Sequence, residues 1–370
     1  RVYRIFYKPT QRDVLWRNSV AAPNGANNDL GWWLWIGGIE YTLPGEEHGF
    51  TWALSWTWKI EEQTSSRVAV VATITEPTTG LIESLTFALE ASSATLFTAV
   101  ALYNPGKITE QFAHWTNVPF VLGGRNTLAD DTEFILPTER IKISPQWQPN
   151  LGPSPQVWAS SPLRYYKNWN KGTRMGDLTT DGLLSGFYGV YSRAVDQGGA
   201  RVFDKSKTPG VDLWTYGYNP PSCFPVPNIS HCSYAEIWGG NVETFPKERK
   251  PLHPGQNLSW QEWIVPFSNT GGLHYVNRYL AGFAIFNRSA PGQVVVSFCP
   301  TRVFAVPVAI ELWRTDTNTS LVRYELPGNH VSPDRPVTHT FAHLGDPGAS
   351  LEVVVLEASS QVLAMWAVAN

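Results

Sequence analysis

Apolar residues along this chain recur in short alternating or β-branched runs, each bounded by Gly, Pro, Asn or Ser. Such runs have the period and length of β-strands and lack the spacing of an amphipathic helix. The clearest are RVAVVATIT, SLTFALEA, ATLFTAVALYN, GQVVVSF, VFAVPVAIELW and SLEVVVLEA. Strands that follow one another without intervening helices predict antiparallel sheets packed as sandwiches, so we assign the chain to the all-β class.

The segment of residues 141–186 differs from its surroundings. It is rich in Pro, Gly, Asn and aromatic residues and shows no clear strand alternation. A loop of that length in a compact protein is usually functional or disordered, and the Trp and Tyr residues in it favour an ordered excursion that faces a substrate.

A change in composition near residues 272–282 predicts a domain boundary. We expect one domain over residues 1–271 and a C-terminal β-sandwich-like region over residues 272–370. In the second region, residues 327–348 are dense in turn-forming residues and predict turns and an edge strand.

Composition and charge narrow the class of partner. Hydrophobic residues make up 43% of the chain and charged residues 16%, which is typical of a globular protein with a substantial core. The formal net charge is −3 and the basic residues are scattered, so we expect no nucleic-acid partner. No apolar run approaches the ~20 residues of a membrane helix.

The N-terminal stretch RVYRIFYKPTQRD lacks the layout of a signal peptide and begins inside a predicted strand. We therefore expect an upstream segment in the full protein, and association of this chain with that segment or with other chains.

The cysteines bear on localisation. Cys223 and Cys232 lie close enough in sequence for a loop disulfide, whereas Cys299 in an apolar run is predicted to be a buried thiol. The disulfide and the low lysine content favour a secreted or cell-surface location, with the cytoplasm as the open alternative.

Seventeen tryptophans are the most unusual feature of the composition. Flat aromatic faces suit sugar rings, although a Trp-rich core is the competing explanation for each residue. Trp32, Trp33 and Trp35 cannot all point inward from an alternating strand, so at least one should face a cleft or another chain.

Two acids stand alone in aromatic strands that contain Gly-Gly pairs. Glu40 follows GWWLWIGGI, and Glu236 lies in SYAEIWGG. Burial beside aromatic rings raises the pKa of a carboxyl group, as a general acid requires, whereas an edge-strand Glu would simply be solvated. Two such carboxylates on facing strands would divide acid and base roles.

Histidines are the usual partners for proton transfer near neutral pH. His114 precedes Trp115 and Asn117 at the end of a predicted strand, and His48 follows Glu40 closely, although a structural role is the common alternative for each. The sequence has no GxSxG, Walker, HExxH or CxxC motif, and the acidic LADDTE lacks a calcium-loop pattern. We predict neither a metal nor a cofactor.

The phrases GGIEYTLP, HWTNVPF, GFYGVYSRAVDQGGARVFDKSKTPGVDLWTYG, YAEIWGG and LHPGQNLSWQEWIVPF occur in the order typical of one family. Over residues 1–267 the chain resembles the domain-of-unknown-function family 5107, whose members are often attached to tetratricopeptide repeats. That family is similar to galactose mutarotase. The resemblance implies a β-supersandwich with a carbohydrate cleft on one sheet, with His114 as general acid and Glu236 as general base. Trp238 stands where mutarotases carry Gln.

The sequence thus predicts a carbohydrate-active protein, either a glycoside hydrolase or an aldose-epimerase-like enzyme. Glu236 would act as base or nucleophile, and Glu40 or His114 as acid. The residues expected to contact the sugar are Trp33, Trp35, His48, Trp115, Asn117, Trp169 and Asp177, with Asp181 as a further candidate acid. A non-catalytic carbohydrate-binding module and a structural cell-surface or filament subunit are the alternatives.

Overall fold

The computed structural model describes residues 1–25, 30–169, 176–218, 233–245, 247–342, 350–358 and 361–369, without the side chains of residues 19, 20 and 22. Cys223 and Cys232 lie outside the described residues, so the disulfide stays a prediction. Among the described residues, no helix has the length and apolar content needed to cross a membrane.

The part of the chain before residue 270 is built from strands joined by turns, as the alternating pattern predicts. Its strands are β1 Phe6–Tyr7, β2 Arg12–Asp13, β3 Arg17–Gly25, β4 Trp32–Gly37, β5 Glu40–Thr42, β6 Thr57–Gln63, β7 Arg67–Thr75, β8 Ile82–Glu90, β9 Leu96–Tyr103, β10 Glu110–Phe112, β11 Trp115–Val118, β12 Glu133–Ile135, β13 Arg140–Ile143, β14 Gln156–Val157, β15 Gly176–Thr180, β16 Phe187–Ser192, β17 Gln197–Phe203, β18 Gly210–Thr215, β19 Ala235–Gly240, β20 Lys250–Leu252 and β21 Asn257–Ser268.

Two large antiparallel sheets dominate this part. One has seven strands in the order β14-β13-β15-β18-β19-β11-β5, and the other has eight in the order β12-β16-β17-β21-β9-β8-β7-β6. Their facing sides share a core that includes Val118, Ile237, Tyr188 and Ile264. The all-β class and the predicted β-supersandwich are confirmed.

A buried ion pair lies between the two large sheets. Arg201 on β17 and Glu262 on β21 are almost fully buried, and Arg201 Nε donates to Glu262 Oε2 at 2.9 Å. Arg201 Nη2 bonds the other carboxylate oxygen. Trp260 Nε1 also donates to Glu262 at 2.7 Å, so most of the polar atoms of this pair are satisfied.

The remaining strands are β22 Tyr275–Val276, β23 Leu280–Phe286, β24 Val294–Pro300, β25 Val308–Arg314, β26 Thr319–Leu326, β27 Val337–Phe341, β28 Leu351–Glu357 and β29 Gln361–Ala367. They form two four-stranded sheets, β22-β23-β24-β27 and β26-β25-β28-β29, around a core of their own. β27 lies at the edge of its sheet, as predicted for residues 327–348, and Cys299 is a buried free thiol.

The C-terminal strands also cover the outer face of the eight-stranded sheet. On that face Val265 and Phe267 of β21 are buried in one apolar cluster with Ala281 and Cys299. We call this contact the seam.

Residues 141–186 form short turns between β13 and β15. The described part of this segment has four 3₁₀ turns of three residues each and one α-helical turn of four residues. Their bounds are Pro145–Trp147, α1 Gln148–Leu151, Trp158–Ser160, Pro162–Arg164 and Tyr166–Asn168. A further 3₁₀ turn, Thr51–Ala53, lies earlier in the chain. Trp158, Tyr166 and Trp169 are buried in the main core. The prediction that the aromatic residues of this segment face a substrate is wrong for these three, because they fill the core instead.

Candidate functional site

Strand pairing aligns one row of side chains across five strands of the seven-stranded sheet. The row is Glu40, Asn117, Trp238, Asp212 and Thr179, on β5, β11, β19, β18 and β15. Directly paired residues point to the same side of a sheet. We call the side that carries this row the site face.

Residues two positions along a strand share the same side, so the site face has a second row. Glu236 on β19 is paired with Trp214 on β18, which is paired with Asp177 on β15. The opposite side of the sheet carries Tyr41, whose hydroxyl lies 3.5 Å from Thr98 of the eight-stranded sheet. The site face is therefore the outer side of the sandwich.

Glu40 is held between two cations at the end of this face. His48 Nδ1 donates to its Oε1 at 2.9 Å, and Arg1 Nη2 lies 2.6 Å from its Oε2. Burial favours the neutral acid, but Arg1 and His48 outweigh it and lower the pKa of Glu40. Glu40 is therefore an ionised carboxylate rather than a proton donor.

The same contact favours the protonated form of His48. Burial lowers its pKa, but Glu40 first and then Glu236 and Glu47 outweigh burial, and the pKa of His48 is raised. Its ring stacks on Trp33 with centroids 3.7 Å apart. Its backbone has a φ of +63°, in the left-handed region that non-glycine residues seldom adopt, so the surrounding contacts fix this residue in place.

Glu236 is fixed by two donors from its own strand region. Tyr234 Oη donates to Oε1 at 2.8 Å, and Trp238 Nε1 donates to Oε2 at 3.0 Å. Burial raises the pKa of Glu236, with Glu40 adding to the effect and His48 and the two donors opposing it. The raised pKa makes this carboxyl group a stronger proton acceptor than an ordinary glutamate.

Several buried polar atoms of the site face have no hydrogen-bond partner among the described residues. They are Asp212 Oδ2, Asp177 Oδ1, Asn117 Oδ1 and Trp115 Nε1. Burial raises the pKa of Asp212 well above its ordinary value, with Asp177 and Glu236 adding to it. Buried polar groups are almost always satisfied, so the four atoms make this face a candidate site for a polar ligand.

Aromatic residues wall this face. Trp35 Nε1 donates to Tyr234 Oη at 3.0 Å, and Trp16 stacks on Tyr234 with centroids 4.2 Å apart. Trp33 and Trp35 are buried while Trp32 is 42% exposed, so the three do not all point inward. A cleft or a partner chain at Trp32 stays a prediction.

Residues 1–262 match the family described as "Domain of unknown function (DUF5107)". The chain belongs to the DUF5107 family. No curated protein matches the sequence.

The fold of this DUF5107 chain is similar to that of a TPR-domain containing protein from Parabacteroides distasonis ATCC 8503, with 21% identity and a TM-score of 0.60 over 74% of this chain. The match covers 44% of that protein, so the chain spans less than half of its length. A galactose mutarotase-like protein from Lactobacillus casei ATCC 334 is also similar, with 12% identity, a TM-score of 0.48 and coverage of 71% of this chain and 92% of that one. A galactose mutarotase related enzyme from Lactobacillus acidophilus has 12% identity and a TM-score of 0.46, and the match covers 70% of this chain and 88% of that one.

The structure of this DUF5107 member separates His114 from the two glutamates. His114 Nε2 bonds Glu83 Oε1 of β8 at 2.9 Å, and its ring meets Trp260 of β21 edge-on. Since neighbouring residues of β11 alternate in direction, His114 faces the inter-sheet core while Trp115 and Asn117 face the site. The prediction of His114 as the acid beside Glu236 is corrected for this reason.

Two further predicted site residues lie elsewhere. Trp169 is buried in the main core, where its Nε1 donates to the Leu163 carbonyl at 2.7 Å. Asp181 is exposed and pairs with Lys142 at 2.6 Å. Neither is brought to the site face with Glu40, His48 and Glu236.

The Gly37-Gly38 pair serves the protein's own packing. A Cβ at Gly37 would lie 2.6 Å from the Trp16 carbonyl oxygen, and one at Gly38 equally close to that of Val2. Both glycines have positive φ. The backbone that approaches this pair closely is therefore the N-terminal segment of the same chain.

Asp212, Tyr234 and Arg1 are site residues that sequence reasoning missed. Asp212 carries the same signal as Glu236, a single acid between apolar strand residues, in GVDLW. Tyr234 lies two residues before Glu236 and therefore shares its face. For Arg1 no local signal exists, because its contact with Glu40 depends on pairing between distant strands. Among the described residues, no group of His, Cys, Asp or Glu is arranged to hold a metal ion.

Proposed function

We propose that the site face binds a sugar and that Glu236 and His48 transfer protons at its anomeric centre, in an aldose-epimerase-like reaction. The observation that carries the proposal is the convergence on one aromatic-walled sheet face of the Glu236 carboxyl group, the His48 imidazole held by Glu40, and unsatisfied buried polar atoms; the pKa values of Glu236 and His48 are both raised. Sugar rings present apolar C–H groups and hydroxyls together, which such a face complements.

The roles follow from the charges of the two groups. Glu236, once ionised, accepts the proton of the anomeric hydroxyl. His48, protonated and held by Glu40, donates its proton to the ring oxygen as the bond from that oxygen to the anomeric carbon breaks. Reclosure of the ring from the other side of the aldehyde gives the other anomer and returns both protons.

The unsatisfied atoms would bind the remaining hydroxyls. Asp177 Oδ1 and Asn117 Oδ1 are acceptors, and Trp115 Nε1 is a donor. The Asp212 carboxyl group, whose pKa is raised, can donate when protonated and accept when ionised. Asp177 and Trp214 are the partly exposed members of the second row, so a ligand would enter beside them.

The first test measures by polarimetry how fast freshly dissolved α-glucose, and separately α-galactose, equilibrates with its β-anomer. The second test measures release of reducing sugar from a glycan panel. We expect accelerated mutarotation that falls about 10²–10⁴-fold in Glu236→Gln. The exposed Asp181→Asn is the matched control and should keep the wild-type rate. Sugar release abolished in Glu236→Gln would instead indicate hydrolysis, and unchanged rates in Glu236→Gln and His48→Gln would remove both assigned roles.

Binding without turnover in either assay would identify a non-catalytic carbohydrate-binding module. Calorimetry distinguishes this outcome, because binding would then survive in Glu236→Gln with modest loss.

A second candidate function, assembly into a larger structure, is favoured by one separate observation. Trp58, Ile60, Val68 and Leu89 are 70%, 53%, 44% and 57% exposed at the β6 end of the eight-stranded sheet. Exposed apolar patches of this kind often mark protein contacts. Light scattering that shows a monomer at all concentrations would count against this candidate, and Trp58→Lys dissociating an oligomer would support it.

A further inference from the structure

A cavity lies at the edge of the seam, on the opposite side of the sandwich from the site face. Its volume is about 480 Å³, within the range of small-molecule sites. The strands β9 and β21 form one wall, and the loops before β23 and after β24 form the other. None of the residues that line this cavity belongs to the site face.

Aromatic residues give the cavity an apolar wall. Phe97 on β9 and Trp263 on β21 are directly paired, with ring centroids 5.6 Å apart and inclined at 62°. Both are partly exposed, because the apolar cluster of the seam ends at Trp263. Tyr279 adds a third ring from the C-terminal part of the chain.

Guanidinium groups converge on the same cavity. That of Arg278 lies over the rings of Trp263 and Tyr279, and its Nη2 donates to the Tyr279 hydroxyl. No carboxylate among the described residues forms an ion pair with Arg278. Arg302 Nη2 donates to both oxygens of Glu357, at 3.1 and 2.8 Å. This leaves Arg302 Nε buried, without a hydrogen-bond partner in the described part of the chain.

Side chains with hydrogen-bond acceptors also line the cavity. Glu90 and Gln261 are exposed residues of the cavity wall, and the described residues provide no hydrogen bond to either side chain. Carboxylate, amide and guanidinium groups are planar and present two polar atoms side by side. Adjacent hydroxyls of a sugar ring match this geometry, and the aromatic wall matches its C–H face.

We propose that the seam cavity is a second carbohydrate-binding site, separate from the site face and without catalytic chemistry. The combination of the Glu90 carboxylate with the remaining N–H donors of Arg278 and Arg302 fits a neutral polyhydroxylated ring. A phosphate or other anion would meet the charge of Glu90, and a lipid would leave the polar groups unpaired. Two sites on opposite sides of one chain would let it hold a branched or repeating glycan by avidity.

The experiment is titration of the ¹⁵N-labelled chain with methyl glycosides of glucose, galactose, mannose and N-acetylglucosamine, observing the Trp263 indole resonance. We expect at least one glycoside to shift this resonance, and about tenfold weaker binding in the double variant Gln261→Ala, Arg278→Ala. Arg335→Ala, an exposed arginine outside the cavity, is the matched control and should bind as wild type.

The site face gives an independent readout. The double variant should keep the wild-type mutarotation rate, so failure of the proposed function and failure of the second site are separable. A Trp263 resonance that no glycoside shifts, or one that shifts equally in wild type and the double variant, would overturn the proposal.

Discussion

Asp212 is a buried carboxylic acid whose Oδ2 has no hydrogen-bond partner among the described residues. It is 3% exposed, and both Asp177 and Glu236 add negative charge nearby. A group like this lowers stability, and proteins retain such groups where a ligand uses them. Under the proposed function, a sugar hydroxyl would bond this atom.

Replacing this carboxyl group should stabilise the protein. The folded pKa of Asp212 is raised, so wild type loses stability as the pH rises from the unfolded value near 3.8 through the raised pKa. Asp212→Asn removes that loss, and we expect a gain of about 1–3 kcal/mol at neutral pH that shrinks toward pH 4. Urea unfolding at several pH values measures it. Asp181→Asn should show no such gain, and a destabilised Asp212→Asn would contradict the prediction.

The contact between His48 and Glu40 predicts a shifted titration. Because the folded pKa of His48 is raised above 6.5, the contact stabilises the protein below that pH, and the stabilisation is lost as the pH rises through the raised pKa. NMR of the His48 ring should give a midpoint above 6.5. Glu40→Gln removes the carboxylate that raises the pKa of His48, so burial lowers the titration midpoint of the His48 ring. A midpoint that does not change between the two proteins would show that Glu40 is not the cause.

At the scale of elements, the two-residue period of a strand decides which chemistry is available. Along β11, Trp115 and Asn117 face the site, whereas Thr116 faces the core and lies 3.5 Å from Glu262. His114 follows the same alternation into the core. The sequence contains the alternation, but which side is core depends on the other sheet. The sequence could therefore single out Glu40 and Glu236 as candidate site residues. It could not predict on which side of the sheet His114 lies.

The inner side of strand β19 has no room for a side chain at Gly239. A Cβ at Gly239 would lie 1.7 Å from Arg201 Nη1, at the buried ion pair. We expect Gly239→Ala to destabilise the protein by about 1–3 kcal/mol, because overpacking displaces the pair. Chemical denaturation measures this. Gly25→Ala, where the added carbon meets nothing, is the control, and equal stability of both variants would contradict the prediction.

At the scale of the whole molecule, the seam joins the C-terminal strands to the sandwich. Val265, Phe267, Ala281 and Cys299 are buried in it from both sides. Burial of a large apolar side chain contributes about 1.5–3 kcal/mol, so the two parts stabilise each other although each has its own core.

Charge placed in the seam should weaken that contact. Ala281→Asp buries an unpaired carboxylate at a fully buried position, and we expect a lower Tm and binding of a hydrophobic dye. Differential scanning fluorimetry measures both. Leu321→Asp, at a position that is 41% exposed, is the matched control. A Tm unchanged in Ala281→Asp would show that the seam contributes little.

The sequence by itself determined the strands, the all-β class and the presence of lone acids in aromatic strands, because these follow from local periodicity and composition. The tertiary structure alone decided that Glu40 is an ionised partner of Arg1 and His48, that Asp212 joins Glu236 on one face and that Trp169 belongs to the core. Each of these depends on strand order and register between residues far apart in the chain. Local pattern specifies that side chains alternate, whereas long-range pairing specifies what they meet.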